Sequence, residues 1–201
     1  MLKIGLTGSI AVGKSYVCGV FRELGALVLD SDQTAREVVE PNTRGWHRII
    51  EHFGEGVLQP DKQINRAKLG AIVFASKPER EVLNSIVHPL VFQAQDLWLA
   101  HAKTANPNGI AIIDAALMIE SGGYQRFDKL IVVWCKPEIQ LERLMLRDNL
   151  SEAEAQKRID SQMPQEEKKR FADFLIDTSF GFEATKQQTV EIFGELQLLD
   201  F

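Results

Sequence analysis

Residues 6–21, LTGSIAVGKSYVCGVF, place Gly8 and Gly13 five positions apart and follow the second with Lys14 and Ser15. The run Gly8-Ser9-Ile10-Ala11-Val12-Gly13-Lys14-Ser15 fits the pattern G-x-x-x-x-G-K-[ST]. Such spacing serves phosphate binding. Glycines let successive backbone N–H groups turn inward at a helix N-terminus, where the helix dipole favours an anion. Lys14 then reaches the β and γ phosphates of a nucleotide and Ser15 offers its hydroxyl to Mg²⁺, with Tyr16 next to them on the nucleotide side. An apolar run precedes the pattern and the stripe Val17, Val20, Phe21, Leu24 follows it, which is the strand-to-helix setting this loop needs. A glycine-rich turn with an incidental lysine is the alternative, and the setting speaks against it.

Carboxylates at the ends of later apolar runs extend the chemistry. Asp30 and Asp32 lie in LVLDSDQTAR, and in an extended chain residues two apart point to one side. One of them suits a Mg²⁺ ion and the other the proton of an acceptor hydroxyl. Capping of the helix that follows is the alternative role for Asp32 or Ser31. Asp114 ends another apolar run, as a magnesium-associated aspartate does in nucleotide-binding proteins, although a turn cap has the same appearance. Arg143 and Arg147, four apart on a predicted helix, share a face and suit a triphosphate clamp; a solvated face neutralised by Glu142 and Asp148 is the competing reading. Arg158 in the next helix is a similar candidate.

These groups need elements to hold them. Residues 2–7, 26–30, 109–114 and 129–135 read as buried parallel strands, with 175–179 a weaker fifth. Helices are predicted over 14–24, 33–40, 138–147 and 182–198, so that strands alternate with helices as in a parallel sheet covered on both faces. Two regions break the alternation. Residues from about 42 to 105 are helical without a strand of their own. Residues 151–170 are polar and helical, with a capping box from Ser151 to Glu154 opening a helix that Pro164 is expected to end. Insertions of this kind form walls and lids at the carboxyl ends of the strands.

A chain of 201 residues supports one core-bearing domain, and a net charge of −5 argues against a broad nucleic-acid footprint. No apolar run approaches the roughly 18 residues a membrane span needs. The apolar N-terminus lacks a small-residue cleavage site, so a cytoplasmic protein is expected. Cys18 and Cys135 read as buried free thiols of a reducing compartment. The N-K-x-D and D-x-x-G signatures of a GTPase are absent. Oligomeric state is left open.

Segments spread along almost the whole chain resemble the dephospho-coenzyme A kinases: IGLTGSIAVGKS, LVLDSDQTARE, INRAKLGAIVF, IVHPLVF, DAALMIESG, LERLMLRD, RIDSQM and FADFLIDTS. The resemblance implies an α/β, three-layer P-loop NTPase fold with a parallel sheet of about five strands, a helical acceptor-binding insertion over about 42–105 and a helical lid over about 139–170. It also implies ATP-dependent phosphorylation of the ribose 3′-hydroxyl of dephospho-coenzyme A. By match of segment, Asp32 is the catalytic aspartate, Lys14 and Ser15 the phosphate and magnesium positions, and Arg147 the lid arginine near the ATP phosphates. Arg66 and His88 fall in the acceptor-binding segments, where a surface arginine and a helix-capping histidine are the plainer readings. The chain departs from the family pattern at Ser9 and Ala11, where glycines are usual, at Ala116 in place of proline, and at Thr178 in place of asparagine. A nucleoside or nucleotide kinase of the same architecture is the alternative function, and a nucleotide-dependent switch without catalysis is the other class.

Overall fold

The computed structural model describes residues 1–199. The chain divides into two compact units, residues 1–30 with the described residues from 102 onward forming the first and residues 31–101 the second.

The first unit is built on five parallel strands, β1 (Leu2–Thr7), β2 (Leu27–Asp30), β3 (Ile110–Asp114), β4 (Lys129–Trp134) and β5 (Phe174–Asp177), in the order β2-β3-β1-β4-β5. Every pairing is parallel, and Asp30 stands in register with Asp114, which in turn pairs with Leu6. All five apolar runs form strands, each within about a residue or two of its expected bounds. Because side chains alternate along a strand, Leu2, Ile4 and Leu6 of β1, Ile110 and Ile112 of β3, and Ile131 and Val133 of β4 join one continuous core. Val17, Cys18 and Phe21 of α1 (Lys14–Glu23) cover that face together with Ile192 and Leu196 of the C-terminal helix. Each fully buried aliphatic side chain contributes roughly 1.5–3 kcal/mol. Residues on the opposite face, among them Ala111, Ile113, Leu130 and Val132, are also buried, as strands covered on both faces require.

The second unit holds α2 (Ser31–Glu37), α3 (Arg44–Phe53), α4 (Arg66–Ala75) and most of α5 (Lys77–Ala105). Its own core gathers Ile49, Val57, Ile64, Leu69, Val73 and Ile86. The region contains no strand, only one isolated bridge between Leu58 and Ile64. Helix α2 begins at Ser31, directly after β2, and not near Gln33. Extended backbone therefore stops at Asp30, and the strand alternation that would have put Asp30 and Asp32 on one side does not apply. Asp32 lies in the first helical turn, where a carboxylate is favoured by the helix dipole. Helix α5 runs through Pro89, so His88 is interior to it and does not cap it.

After β4 come α6 (Pro137–Asp148), α7 (Glu152–Asp160), α8 (Gln165–Lys169) and, beyond β5, α9 (Gly181–Gln197). The capping box at α7 is formed as expected, with Ser151 and Glu154 bonding each other's backbone. Pro164 has a different role from the one its type suggested: α7 stops at Asp160, and Pro164 precedes the first residue of α8, where its fixed φ starts a helix instead of ending one.

Candidate active site

The loop after β1 is held by close approach and by left-handed backbone. A Cβ on Gly8 would run into the carbonyl oxygen of Val133. Gly13, the N-cap of α1, has φ 93° and ψ 17°. Of the two residues that replace family glycines, Ser9 needs no positive φ, but Ala11 sits at φ 60°. For an L-residue that conformation costs about 1–2 kcal/mol. Ala11→Gly is therefore expected to raise the urea-unfolding free energy by about 1 kcal/mol, part of the relief being offset by the freer unfolded chain. An unchanged or lower value would show that the alanine is not strained.

Lys14 Nζ lies 3.9 Å from Asp114 Oδ1, so the loop cation faces the carboxylate that ends β3. From behind, Cys18 Sγ donates to Asp114 Oδ2 at 3.5 Å. Burial, then the negative charge of Asp114, push the Cys18 thiol well above its ordinary range, so it stays a thiol and a donor. Both cysteines are free and buried. Ser9 Oγ is buried without a hydrogen-bond partner among the described residues. A buried hydroxyl left in that state asks for a ligand atom or a water molecule.

Beside the loop opens a cavity of about 450 Å³, a size suited to a nucleotide. Its polar wall is Ser9, Lys14, Ser15, Arg143 and Arg147; Tyr16 and Phe182 line it as well. Tyr16 and Phe182 rings lie 4.7 Å apart, and Tyr16 Oη donates to the Phe182 carbonyl at 3.2 Å. Thr178, the residue standing for asparagine, joins several parts: its hydroxyl donates to the Val12 carbonyl at 2.7 Å and accepts from Arg143, whose other nitrogen donates to the Thr178 carbonyl at 2.8 Å. The two arginines thus each have a protein partner. Arg147 is bidentate on Asp148 at 2.8 and 3.2 Å, and Arg158 reaches the same carboxylate at 2.7 Å. These bonds, Arg147's foremost, hold the Asp148 carboxyl below its ordinary value. Asp148 is the neutralising neighbour that the sequence offered, and Arg147 still lines the cavity.

Several further residues had no signal, or only a faint one, in the sequence. Lys168 of α8 is fully buried, with Nζ 2.7 Å from the Ala116 carbonyl and 2.9 Å from Glu120 Oε1. It fixes the turn after Asp114, whose Ala116 carbonyl also accepts from the Thr7 hydroxyl at 3.2 Å. Within the charge run QEEKKR nothing distinguished it from a solvated lysine. Burial is the main cause that holds the Lys168 ammonium below its ordinary pKa of 10.5, against the opposing pull of Glu120. Between the lowered value and 10.5 the unfolded chain binds more protons than the folded one. Stability from this group therefore rises with pH through that window and is lost again as pH falls through the folded value. Urea denaturation as pH is raised toward 10.5 should show wild-type stability rising relative to Lys168→Met. A constant or falling difference would contradict the direction of the shift.

In the second unit, a cavity of about 200 Å³ is lined by apolar side chains including Val39, Ile49, Leu69 and Leu83, with Arg66 among them. Exposed His88 lies 6.2 Å, ring to ring, from Phe92. Gln95 donates to Ser31 Oγ at 2.9 Å, a buried bond that fixes the start of α2 one residue before Asp32.

A strand, a glycine-bounded loop with Lys14 and Ser15, and a carboxylate at the end of the neighbouring strand stand together, an arrangement of the kind that suits a phosphate. Residues 2–183 match the family model described as Dephospho-CoA kinase. The chain belongs to the dephospho-CoA kinase family. It is 43% identical to a dephospho-CoA kinase of Geobacillus kaustophilus, over 99% of this chain and 98% of that one. A dephospho-CoA kinase of Syntrophus aciditrophicus is 39% identical, with 98% and 83% covered. Among solved structures, the dephospho-CoA kinase of Campylobacter jejuni superposes with a TM-score of 0.71 at 31% identity, covering 97% of this chain and 96% of that one. Shikimate kinase of Bacteroides thetaiotaomicron superposes with a TM-score of 0.51 at 15% identity, covering 98% and 99%, a likeness of fold. As a member of the dephospho-CoA kinase family the chain is a P-loop kinase. Of its departures, Thr178 is tied into the loop through Val12 and Arg143, Ala11 stands in left-handed backbone, and the Ser9 hydroxyl is buried without a partner among the described residues.

Proposed function

We propose that this kinase transfers the γ-phosphoryl group of ATP to the ribose 3′-hydroxyl of dephospho-coenzyme A, giving coenzyme A and ADP, the final step of coenzyme A synthesis. The observation that carries the reading within the first unit is the cavity in which the loop, Lys14, Ser15 and two arginines converge. In this assignment the loop amides and Lys14 bind the β and γ phosphates, and Arg143 and Arg147 add positive charge over them. Exchange of Arg147 from Asp148 to phosphate keeps it in a charge-assisted pair throughout. Tyr16 and Phe182 supply aromatic surface for the adenine.

Magnesium needs one or two carboxylates and a hydroxyl here, the remainder of its octahedron coming from phosphate and water. Ser15 fits as the hydroxyl, and Asp114, held by the Cys18 thiol and 3.9 Å from Lys14, fits as the carboxylate, with Asp30 in register beside it. That donor set needs no larger acidic cluster, and among the described residues there is none. When bound, the ion neutralises charge on the transferred phosphoryl group. Asp32 is assigned to the acceptor hydroxyl, orienting it and taking its proton. The helical unit, with Arg66 and His88, is assigned to the acceptor, and α6 to α8 to a lid that excludes water.

The test is ADP release from Mg-ATP with dephospho-coenzyme A, adenosine, AMP, UMP or no acceptor. Stimulation by dephospho-coenzyme A alone is expected. Stimulation only by a nucleoside monophosphate would move the enzyme to the nucleotide kinases, and none with any acceptor would favour a switch. Among the described residues no helix is long and apolar enough to cross a membrane. We place the enzyme in the cytoplasm on the strength of its thiols and its substrates.

A further inference from the structure

The apex of the phosphate loop is gripped by side chains from far along the chain. Ile10 N–H donates to Gln162 Oε1 at 2.8 Å, and the Ile10 carbonyl accepts from Gln140 Nε2 at 2.8 Å. Gln140 is buried in α6, and its Oε1 accepts from Gln165 Nε2 at 2.7 Å; Gln165 Oε1 in turn accepts from the Cys135 N–H at 3.0 Å. Each amide orientation in this relay is determined. Cys135 N–H can only donate, so Gln165 must show it oxygen and turn its NH₂ to Gln140, which must then turn its own NH₂ to the Ile10 carbonyl. On the other side Ile10 N–H can only meet the oxygen of Gln162.

The residue directly after this clamped position is Ala11, the non-glycine in left-handed backbone. Such a conformation persists where the surroundings over-determine it. A cavity of about 350 Å³ borders Ser9, Gln140, Gln162 and Gln165, so close packing does not force the glutamines against the loop. Hydrogen bonds hold them there. Gln162 and Gln165 flank Pro164 between α7 and α8, and the same segment is fixed by Lys168 on Glu120 and by Met163 N–H on Glu120 Oε1 at 3.2 Å.

We propose that Gln140 and Gln162 are positioning residues that hold Ile10 and Ala11 in the nucleotide-accepting conformation. They make the shape of the loop and the seating of the α7–α8 segment a single equilibrium. Moving that segment away removes Gln162 and Gln165 together and frees the Ile10 peptide. Nucleotide binding, which requires the loop in shape, therefore favours the seated segment by the same factor that the segment favours nucleotide. The glutamines replace, by contacts from α6 and the α7–α8 connection, the conformational freedom that glycine would supply at position 11. This inference rests on the loop being the phosphate site.

The test is a binding cycle by calorimetry with Mg-ADP on the whole protein, using wild type, Gln162→Met, Ala11→Gly and the double variant. Loss of the clamp in Gln162→Met is expected to weaken Mg-ADP roughly tenfold, the size of one net hydrogen bond, with KM for the acceptor unchanged. With glycine at position 11 the same change should cost about threefold or less, because the left-handed backbone no longer needs enforcement. Faster amide exchange at Ile10 in Gln162→Met, slowed again by Mg-ADP, is the accompanying signature. Equal losses in both backgrounds, or undiminished ADP affinity in Gln162→Met, would overturn the proposal. Lys14→Ala serves as the reference: if it leaves ADP affinity intact the phosphate-loop reading fails, whereas if only the glutamine variants are silent the positioning role alone fails. Gln140→Leu is paired with a thermal-unfolding check. A folded protein with wild-type ADP affinity counts against the relay, and should the variant not fold, Gln162→Met carries the decision.

Discussion

Lys14→Ala is expected to lower kcat/KM for ATP by about 10²- to 10³-fold, the range measured when one preorganised donor to developing charge is removed. The ammonium sits at the first position of α1, where the helix dipole and the loop amides already favour an anion, and it faces Asp114 at 3.9 Å. A separation of that length marks an ion pair that can open without breaking a short hydrogen bond, so the ammonium can turn to phosphate. Because the same charge binds phosphate in the ground state and stabilises it in transfer, both ATP affinity and kcat should fall. Steady-state kinetics with separate ADP binding check this. A variant that kept both would show that positions 8–15 do not hold the nucleotide.

Asp32→Ala, by contrast, is expected to lower kcat by about 10²- to 10⁴-fold with nucleotide affinity little changed. Asp32 is two residues beyond the end of β2 and in the first turn of α2, whose start is pinned by the buried bond from Gln95 to Ser31. A general base must be held within hydrogen-bond reach of the proton it takes, and a helix start fixed by a buried side chain meets the requirement for rigidity. Asp32→Asn distinguishes orientation from proton transfer, since the amide keeps the shape and loses the basicity. Turnover near wild type in either variant would remove Asp32 from the reaction. The contrast between the two positions is itself informative: loss at Lys14 appears in binding and rate together, whereas loss at Asp32 appears in rate.

What was legible in the sequence was whatever repeats over a short distance. The strands were readable because β-branched runs flanked by polar residues have few other fates, and the loop because Gly8, Gly13, Lys14 and Ser15 are adjacent in sequence. The parts missed depend on partners far away. Gln140 precedes Leu144 by four residues on the buried side of α6, and a polar side chain there implied a partner without naming it. That partner is Ile10, 130 residues away. Lys168 was hidden in a charge run because burial is a property of the turn after β3, which no local pattern reveals. Pro164 and the start of α2 were misread since a proline or a polar cluster marks a boundary equally well from either side. Replacement of family glycines at Ser9 and Ala11 had opposite outcomes, and only backbone geometry separates the harmless one from the strained one.

The most direct test of the central claim is single-turnover transfer from γ-³²P-ATP to dephospho-coenzyme A, with the labelled product resolved by position of the phosphate. The account predicts label on the ribose 3′-oxygen, matching coenzyme A, and its loss in Asp32→Ala. Label on any other hydroxyl, or release as inorganic phosphate with the acceptor unlabelled, would contradict it.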